Sequence, residues 1–594
     1  MEINRKTEEK KMSMSKNIAR LAVTAGLTAA LSFGGVMAPV TMAFAAEGGQ
    51  GSITINKVVD KNAGNKFKAY QIFKAKVVDK EGEGKVASDV KWANNAIASK
   101  VITAIKGSTQ YKALVKKDAA KGLKEGASAS DVAEWLSQNV NGVASTASSG
   151  EGTRVAPGDV LYEIAAAVSG MKQGVEAETA AGDLEADKSW TRPDPNEDGL
   201  YGDGYYLFVS DGLTNQAKPN TGTSPIFAIV GGNPVTVTEK TSVPTVDKQV
   251  REGDAWGKAS DSQIGEKIEY KLIGTVADNI DTFAKYEYEF QDHLSVGLEA
   301  DEGSVAVTID GKTVQPANNY SVQVTDTKDE SNRVTGHDLT ISFIDLKAAA
   351  KASDVVLTKQ SKVVVTYKAK LTSDAEYTAT GNTNEVKLVY SNNPMTDDKG
   401  TSESDKVTDY VFGLDVTKTD ADPNNDNAKL VARFKVKMTK EGNTVIPDGG
   451  KWLTQEGGLT SNANEAGVFA TETDNKVFIP GLVAGEYQII ESEAPTGYNT
   501  IDPFTITVTP KYDTTGTLKK LDVTSSSDMA AAKTEEKLTT TKIPVTIQNK
   551  KGSGLPLTGL NGVTFTWIAG GAVLCIGVAH LIRSRKQAEE SEQE

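Results

Sequence analysis

From Thr241 to Asn549 the chain runs in short stretches that alternate apolar and polar residues, and this period of two limits what the chain can fold into more than any other feature. Pro244-Thr-Val-Asp-Lys-Gln-Val250, Glu269-Tyr-Lys-Leu-Ile273, Val305-Ala-Val-Thr-Ile309, Leu339-Thr-Ile-Ser-Phe343, Lys362-Val-Val-Val-Thr-Tyr367 and Glu385-Val-Lys-Leu-Val-Tyr390 each offer one apolar face, with Gly, Asn and Asp turns between them. Such strands predict an antiparallel sandwich over residues 241–407. Arg433-Phe-Lys-Val-Lys-Met438, Lys476-Val-Phe-Ile479, Gly485-Glu-Tyr-Gln-Ile-Ile490 and Ile543-Pro-Val-Thr-Ile-Gln548 predict another over residues 408–549. Before Thr241 the pattern is mixed. Strands are expected at Gly51 to Lys57, Lys66 to Phe73, Gly204 to Val209 and Pro225 to Val230. Between them, apolar spacings of three and four at Trp92 to Ile105, Ala129 to Val140 and Val160 to Met171 predict helices. Residues 46–240 therefore read as a β-framework with a helical insertion, and the whole as mainly β, a row of three sandwich modules.

Both ends of the chain point outside the cell. Lys6, Lys10, Lys11, Lys16 and Arg20 precede an apolar segment from Leu21 to Phe44 that closes on Ala43-Phe-Ala-Ala46, which reads as a signal peptide over residues 1–45. Near the other end, the apolar run from Val563 to Ile582 is about 30 Å long as a helix, enough to cross a bilayer core. Arg583, Arg585 and Lys586 follow it and are expected on the cytoplasmic side. Everything before Leu555 is then extracellular, and residues 550–554, Lys-Lys-Gly-Ser-Gly, form a flexible stalk.

Composition removes several classes of function. A net charge of −14 leaves no basic stripe for nucleic acid. The one cysteine, Cys575, sits within the membrane run, so the extracellular part has no disulfide in a compartment that permits them, and another covalent brace is to be sought. His293 and His337 are far apart with no cysteine near, which leaves little for zinc or a His-activated nucleophile. Asp194 to Gly199 and Asp420 to Asn424 begin like calcium loops, but Tyr205 and Val431 stand where the bidentate Glu belongs, so both read as turns. No metal, cofactor or enzymatic activity is expected.

Leu555-Pro556-Leu557-Thr558-Gly559, followed by a membrane span and a basic stop, resembles the cell-wall sorting signal of Gram-positive surface proteins. The resemblance implies that a sortase cuts between Thr558 and Gly559 and passes the Thr558 carbonyl to an amine, leaving the product anchored to peptidoglycan.

Tyr487-Gln-Ile-Ile-Glu491-Ser-Glu-Ala-Pro-Thr-Gly-Tyr498 resembles the E-box of Gram-positive pilins, with Ile489 in place of Leu. The resemblance implies a collagen-adhesin B-type domain in which Glu491 promotes an amide bond between Lys418 on the first strand and Asn549 on the last. The chemistry suits these residue types, because burial lowers a lysine pKa toward the neutral nucleophile and raises that of a carboxyl. In the preceding module Lys248, Asp292 and Asn384 look like the Lys, acid and Asn of the collagen-adhesin A-type domain; Asn382 competes with Asn384, which begins the alternating strand. In the first module Val209 stands where the glutamate belongs, so no such set is named there, although Lys57 is suitably located and a Glu from another strand could substitute.

Val235-Thr-Val-Thr-Glu-Lys240 resembles the end of the pilin motif, whose lysine a polymerising sortase joins to the Thr of another subunit; Lys248 is the nearest rival acceptor. Taken together the chain resembles sortase-assembled backbone pilins of immunoglobulin-like, isopeptide-forming modules. That implies a major shaft subunit of an adhesive pilus. Its partners would be polymerising and housekeeping sortases, copies of itself, minor pilins, peptidoglycan and a host or extracellular-matrix ligand. A monomeric wall-anchored adhesin and a minor pilin at the base or tip are the alternatives.

Overall fold

Strand Gly204–Asp211 is buried on both faces, and the first unit is built around it. The computed structural model describes residues 51–552 apart from 81–83, 141–154, 172–174, 196–201, 214–218, 317, 426–428 and 534–537. The expected signal peptide, the LPLTG motif and the membrane segment lie outside the described residues, among which no helix is long and apolar enough to cross a membrane. The chain is mainly β.

Gly204–Asp211 lies between Lys66–Lys80 and Ile226–Val230, antiparallel to both, and Gly84–Trp92 and Gly182–Glu185 complete this sheet. Alternation sends Tyr206 and Phe208 to one side. There they share a core with Ile53, Ile55, Trp190 and Val237 of a small sheet formed by Ser189–Thr191, Ser52–Asn56 and Val235–Thr238. Tyr205, Leu207 and Val209 go to the other side and pack on helices Asn95–Gly107, Ala129–Asn139 and Val160–Ser169. The first unit is thus three layers, sheet, sheet and helices, rather than a plain sandwich with helices appended. This explains Val209, whose side chain belongs to the core under the helices.

Several boundaries differ from the sequence reading for physical reasons. Trp92 ends a strand, and the helix starts after Asn94, whose side chain accepts the Ile97 N–H at 2.7 Å as a cap. A further helix, Thr109–Lys117, fully buries no residue; its short apolar stripe packs on the core only through half-buried Tyr111 and Leu114. Lys66–Lys80 runs past Phe73 through Lys74, Lys76, Asp79 and Lys80, where the apolar pattern fades.

The second unit is a sandwich of two sheets whose strands pair antiparallel, except that Ala259–Asp261 runs parallel to Asp405–Tyr410 at the edge of one of them. One is ordered Ala255–Gly257, Val246–Glu252, Lys267–Thr275, Lys362–Leu371, Leu298–Ile309, Lys312–Val314. The other has Asp405–Tyr410, Asn382–Ser391, Tyr288–Ser295, Val334–Phe343 and Ser321–Lys328 in that order. Their inner faces share one core that includes Tyr270, Leu272, Phe290, Ile341, Val365 and Leu388. The third unit repeats the architecture. Lys476–Leu482, Phe412–Asp420 and Lys542–Asn549 face a sheet built on Arg433–Glu441, Gly485–Glu493, Phe504–Tyr512 and Leu518–Ser525. Here Phe412–Asp420 and Lys542–Asn549, the first and last strands, lie side by side and parallel, with Lys418 opposite Ile547.

The junctions are closely bonded. Between the first two units Tyr390 Oη donates to the Asn220 carbonyl at 3.0 Å, Asn392 Nδ2 donates to Asn220 Oδ1 at 2.9 Å and Asn279 Nδ2 to the Gly222 carbonyl at 3.0 Å. Between the second and third, the Tyr377 hydroxyl accepts the Gly481 N–H at 3.0 Å, its carbonyl accepts the Thr541 N–H at 3.1 Å, and its ring meets Phe478 edge-on.

Gly274 shows how closely the second sandwich is packed. Tyr288 Oη crosses above it to donate to the Thr275 carbonyl at 2.8 Å, and a Cβ at residue 274 would lie 2.2 Å from that oxygen. Gly274→Ala is therefore expected to destabilise the fold by about 1–3 kcal/mol, the usual cost of overpacking. Denaturant unfolding of the variant checks this.

Candidate functional site

In the third unit the alternation of Gly485–Glu493 turns Tyr487, Ile489 and Glu491 inward. Tyr487 Oη accepts the Val483 N–H at 2.8 Å and donates to the Val483 carbonyl at 3.0 Å, which fixes the start of the strand. After the strand the chain turns through Pro495 to Asn499 and clasps the end of Lys542–Asn549. The Asn499 N–H donates to the Lys550 carbonyl, the Gly552 N–H to the Gly497 carbonyl, and Tyr498 bridges Lys551. The consequence is the placement of Asn549. Its Nδ2 donates to Glu491 Oε2 at 2.9 Å and to the Asn499 carbonyl at 2.8 Å.

Lys418 is fully buried on the strand beside Asn549, and its Nζ donates to the Ile547 carbonyl at 2.9 Å. Burial pushes the Lys418 amine down to about 8, against the pull of the Glu491 and Asp420 charges. Burial also raises the Glu491 carboxyl, opposed by the hydrogen bonds from Asn549 and the Ile501 N–H. Both shifts favour the neutral forms. Glu491 Oε1 and Asn549 Oδ1 are buried without a hydrogen-bond partner among the described residues, so a proton on the acid, shared with the amide oxygen, would satisfy both.

The second unit assembles the same types differently. Lys248 lies opposite Leu272 in one sheet, whereas Asp292 and Asn384 come from neighbouring strands of the facing sheet, where Leu294 is opposite Asn384. All three are fully buried or nearly so. Lys248 Nζ is bonded to Asp292 Oδ1 and lies over the rings of Tyr270 and Tyr367, 5.4 and 5.5 Å from their centroids. Burial lowers the Lys248 amine to about 8 and raises the Asp292 carboxyl, in each case against the attraction of the partner. Asn384 Nδ2 donates to Tyr367 Oη at 2.7 Å, and Asn384 Oδ1 has no partner among the described residues. Asn382 is engaged elsewhere: its Oδ1 accepts the Glu376 N–H at 2.8 Å and its Nδ2 donates to the Asp409 carbonyl at 3.3 Å. Asn384, and not Asn382, shares Tyr367 Oη as a hydrogen-bond partner with Lys248 and Asp292. Tyr367 was not singled out in the sequence; its only signal there is an inward position on an alternating strand.

Among the described residues of the first unit no such cluster forms around Lys57. Lys57 Nζ turns outward to Asp187 at 2.9 Å. A buried carboxyl lies just past the strand Val235–Thr238: Glu239 is almost fully buried, accepts from Asn62 Nδ2 at 2.9 Å and Asn65 Nδ2 at 3.3 Å, and is pushed up to about 7 by burial. Lys240 follows it, half-buried at the junction, with its N–H donating to Thr223 Oγ1 at 3.3 Å and its Nζ enclosed. Lys248, its rival as an acceptor, is fully buried against Asp292. His293 and His337 are strand residues paired with Asp338 at 2.7 Å and Asp326 at 3.0 Å. Asp420 closes a turn by accepting the Asp422 N–H at 2.9 Å and the Tyr498 hydroxyl at 2.7 Å. Leu555, Pro556, Leu557, Thr558 and Gly559 lie outside the described residues.

No curated protein sequence matches the chain. Among solved structures it is similar to a backbone pilin of Streptococcus pyogenes, at 13% identity over 85% of this chain and 100% of that one, with a TM-score of 0.47. It is also similar to the major pilin SpaA of Corynebacterium diphtheriae, at 12% identity over 84% and 100% of the two chains, TM-score 0.42. A group B streptococcus pilus 2b backbone protein covers 53% of this chain and 99% of its own, at 21% identity and a TM-score of 0.35. Residues 412–524, most of the third sandwich, match the family of SpaA prealbumin-like fold domains.

Proposed function

We propose that the chain is the major shaft subunit of a covalently polymerised cell-surface pilus, in which a sortase joins Thr558 of one subunit to Lys240 of the next. The observation that carries this reading is the pair of buried Lys–acid–Asn clusters in two consecutive sandwiches, a construction that suits a load-bearing rod. In each, the neutral lysine amine attacks the Asn Cγ while the protonated acid polarises the amide oxygen. The Nζ–Cγ bond forms, the Cγ–Nδ2 bond breaks, and the nitrogen leaves as ammonia, with one lysine proton ending on it. Bonds Lys418–Asn549 and Lys248–Asn384 remain. The chain is then a sortase substrate and not an enzyme, and its only chemistry is within itself.

The sorting motif and the basic stop support export and attachment to peptidoglycan, with polymerising and housekeeping sortases and minor pilins as partners and a host or matrix ligand for the finished fibre. One observation favours a second reading, a monomeric wall-anchored adhesin: Lys240 Nζ is enclosed, so joining it to Thr558 needs the junction between the first two units to open. An immunoblot of boiled wall extract separates the two, since a ladder means polymer and a single band means the adhesin.

Two outcomes are expected. Intact mass of the extracellular part is short by one ammonia for each of two bonds, and Glu491→Ala restores one ammonia while leaving the other bond in place; an undiminished mass in the unaltered protein rules the bonds out. Lys240→Arg abolishes the ladder while export and wall attachment persist, because arginine stays protonated and is a poor nucleophile. A ladder that survives this substitution places the acceptor at another lysine.

A further inference from the structure

The two clusters differ in how the acid reaches the asparagine. In the third unit Glu491 touches Asn549 Nδ2 directly, at 2.9 Å. In the second unit the acid is an aspartate, shorter by one methylene, and no hydrogen bond joins Asp292 to Asn384 among the described residues. One group bridges them. Tyr367 Oη donates to Asp292 Oδ2 at 2.6 Å, accepts from Asn384 Nδ2 at 2.7 Å, and lies 3.3 Å from Lys248 Nζ. Its strand neighbours hold it there, since Tyr367 lies opposite Tyr270 on the adjacent strand and the two rings stack with centroids 5.3 Å apart. A fully buried hydroxyl with contacts to all three members of a Lys–Asp–Asn set exceeds what packing alone requires.

We propose that Tyr367 is a catalytic residue of bond formation in the second unit, relaying a proton between Asp292 and the departing nitrogen of Asn384. This rests on the reading that Lys248 and Asn384 become joined. The step begins with Lys248 neutral and Asp292 holding the ammonium's proton on Oδ2, which it donates to Tyr367 Oη; the hydroxyl turns to Nδ2 once attack at Cγ has made that nitrogen pyramidal and basic. The Nζ lone pair attacks Cγ, and the carbonyl pair moves onto Asn384 Oδ1. The attacking nitrogen then gives its surplus proton to Asp292 Oδ1, Asp292 Oδ2 gives one to Tyr367 Oη, and Oη gives one to Nδ2. The carbonyl re-forms, the Cγ–Nδ2 bond breaks and ammonia departs. One proton has moved from Nζ to Nδ2, and Asp292 and Tyr367 end as neutral as they began. Burial holds the Tyr367 hydroxyl well above its usual range, so it hands on a proton only while taking one. Glu491 needs no such intermediary, because the longer side chain already spans the distance.

The test follows both branched peptides, Lys248–Asn384 and Lys418–Asn549, in digests of the full-length chain taken at intervals after synthesis. The third unit's bond serves as an internal clock. In Tyr367→Phe the Lys418–Asn549 peptide is expected at its normal rate and the Lys248–Asn384 peptide more slowly by about 10²–10⁴-fold, the usual contribution of a positioned acid–base group. A Lys248–Asn384 peptide that keeps pace with the clock in Tyr367→Phe overturns the relay while leaving the bond itself intact. Its absence from the unaltered chain overturns the bond, and the relay with it. The double variant Asp292→Glu, Tyr367→Phe separates proton relay from packing. If reach is the reason for the tyrosine, the longer acid restores the second unit's bond; a double variant that melts as cooperatively as the unaltered chain yet forms no bond overturns the relay.

Discussion

A lysine amine held in an apolar core beside a carboxyl is what sets the second and third sandwiches apart from the first. Taking two charges out of water costs several kcal/mol per ion, and a buried ion pair seldom recovers that in full. Well-packed hydrophobic residues at Lys248 and Asp292, or at Lys418 and Glu491, would serve stability at least as well. What the polar sets supply is a pair of groups pressed toward their neutral forms, with an amide carbonyl oxygen left unsatisfied nearby at Asn384 and Asn549. An unsatisfied buried oxygen is an expense that a finished fold rarely keeps. Conversion of each set into an amide, with the acid protonated against its carbonyl, would remove both the buried charge and the orphaned acceptor.

The two sandwiches reach that arrangement by different routes. In the third, Lys418 and Asn549 sit on parallel neighbours within one sheet and Glu491 comes from the facing sheet. In the second, Lys248 comes from one sheet and both Asp292 and Asn384 from the other, so a bond there would run through the core and tie the two sheets. The difference in acid follows from the difference in geometry. A glutamate spans the gap from the facing sheet to Asn549 unaided, and the clasp of residues 495–499 on the last strand brings Asn549 to meet it. Asp292 and Asn384 already share a sheet, and a shorter acid with a tyrosine between them fills the same space.

The sandwiches were legible because each half-buried strand repeats with a period of two, and Glu491 because it stands within one contiguous stretch from Tyr487 to Tyr498. In that stretch Tyr487 latches Val483, Glu491 faces Asn549, and Tyr498 holds the end of the last strand. Lys418 and Asn549 came with the resemblance of that stretch, which implies a lysine on the first strand and an asparagine on the last. Tyr367 was not legible, because its neighbours Val363 and Val365 face inward by the same alternation and nothing local distinguishes a bridging hydroxyl from a core aromatic. Glu239 was missed for a related reason. Its partners Asn62 and Asn65 lie far back in the chain, and only the parallel pairing of Ser52–Asn56 with Val235–Thr238 brings them to it. The layered form of the first unit was hidden too, since Gly204–Asp211 is apolar on both faces and a continuous apolar run says that a strand is buried without saying between what.

On the proposed linkage a pull along the fibre enters each subunit at Lys240, crosses residues 241–549 and leaves at Thr558. The two clusters lie within that span, and the first unit lies outside it. A bond between Lys418 and Asn549 would join the first strand of the third sandwich to its last, so tension would pass through the tie and shield the chain between. In the second sandwich a tie from Lys248 to Asn384 would shield residues 249–383, leaving the rest of strand Asn382–Ser391 and the return through Asp405–Tyr410 to carry load. That return is bonded along its length: it pairs with Asn382–Ser391 on one side and with Ala259–Asp261 on the other. The first unit, free of tension, has no need of a brace. Its lysine at residue 57 pairs with a surface aspartate, and its helices pack on the middle sheet mainly by apolar contact, with Ser130 Oγ donating to the Val90 carbonyl at 3.4 Å, which would suffice for a unit that bears no axial load.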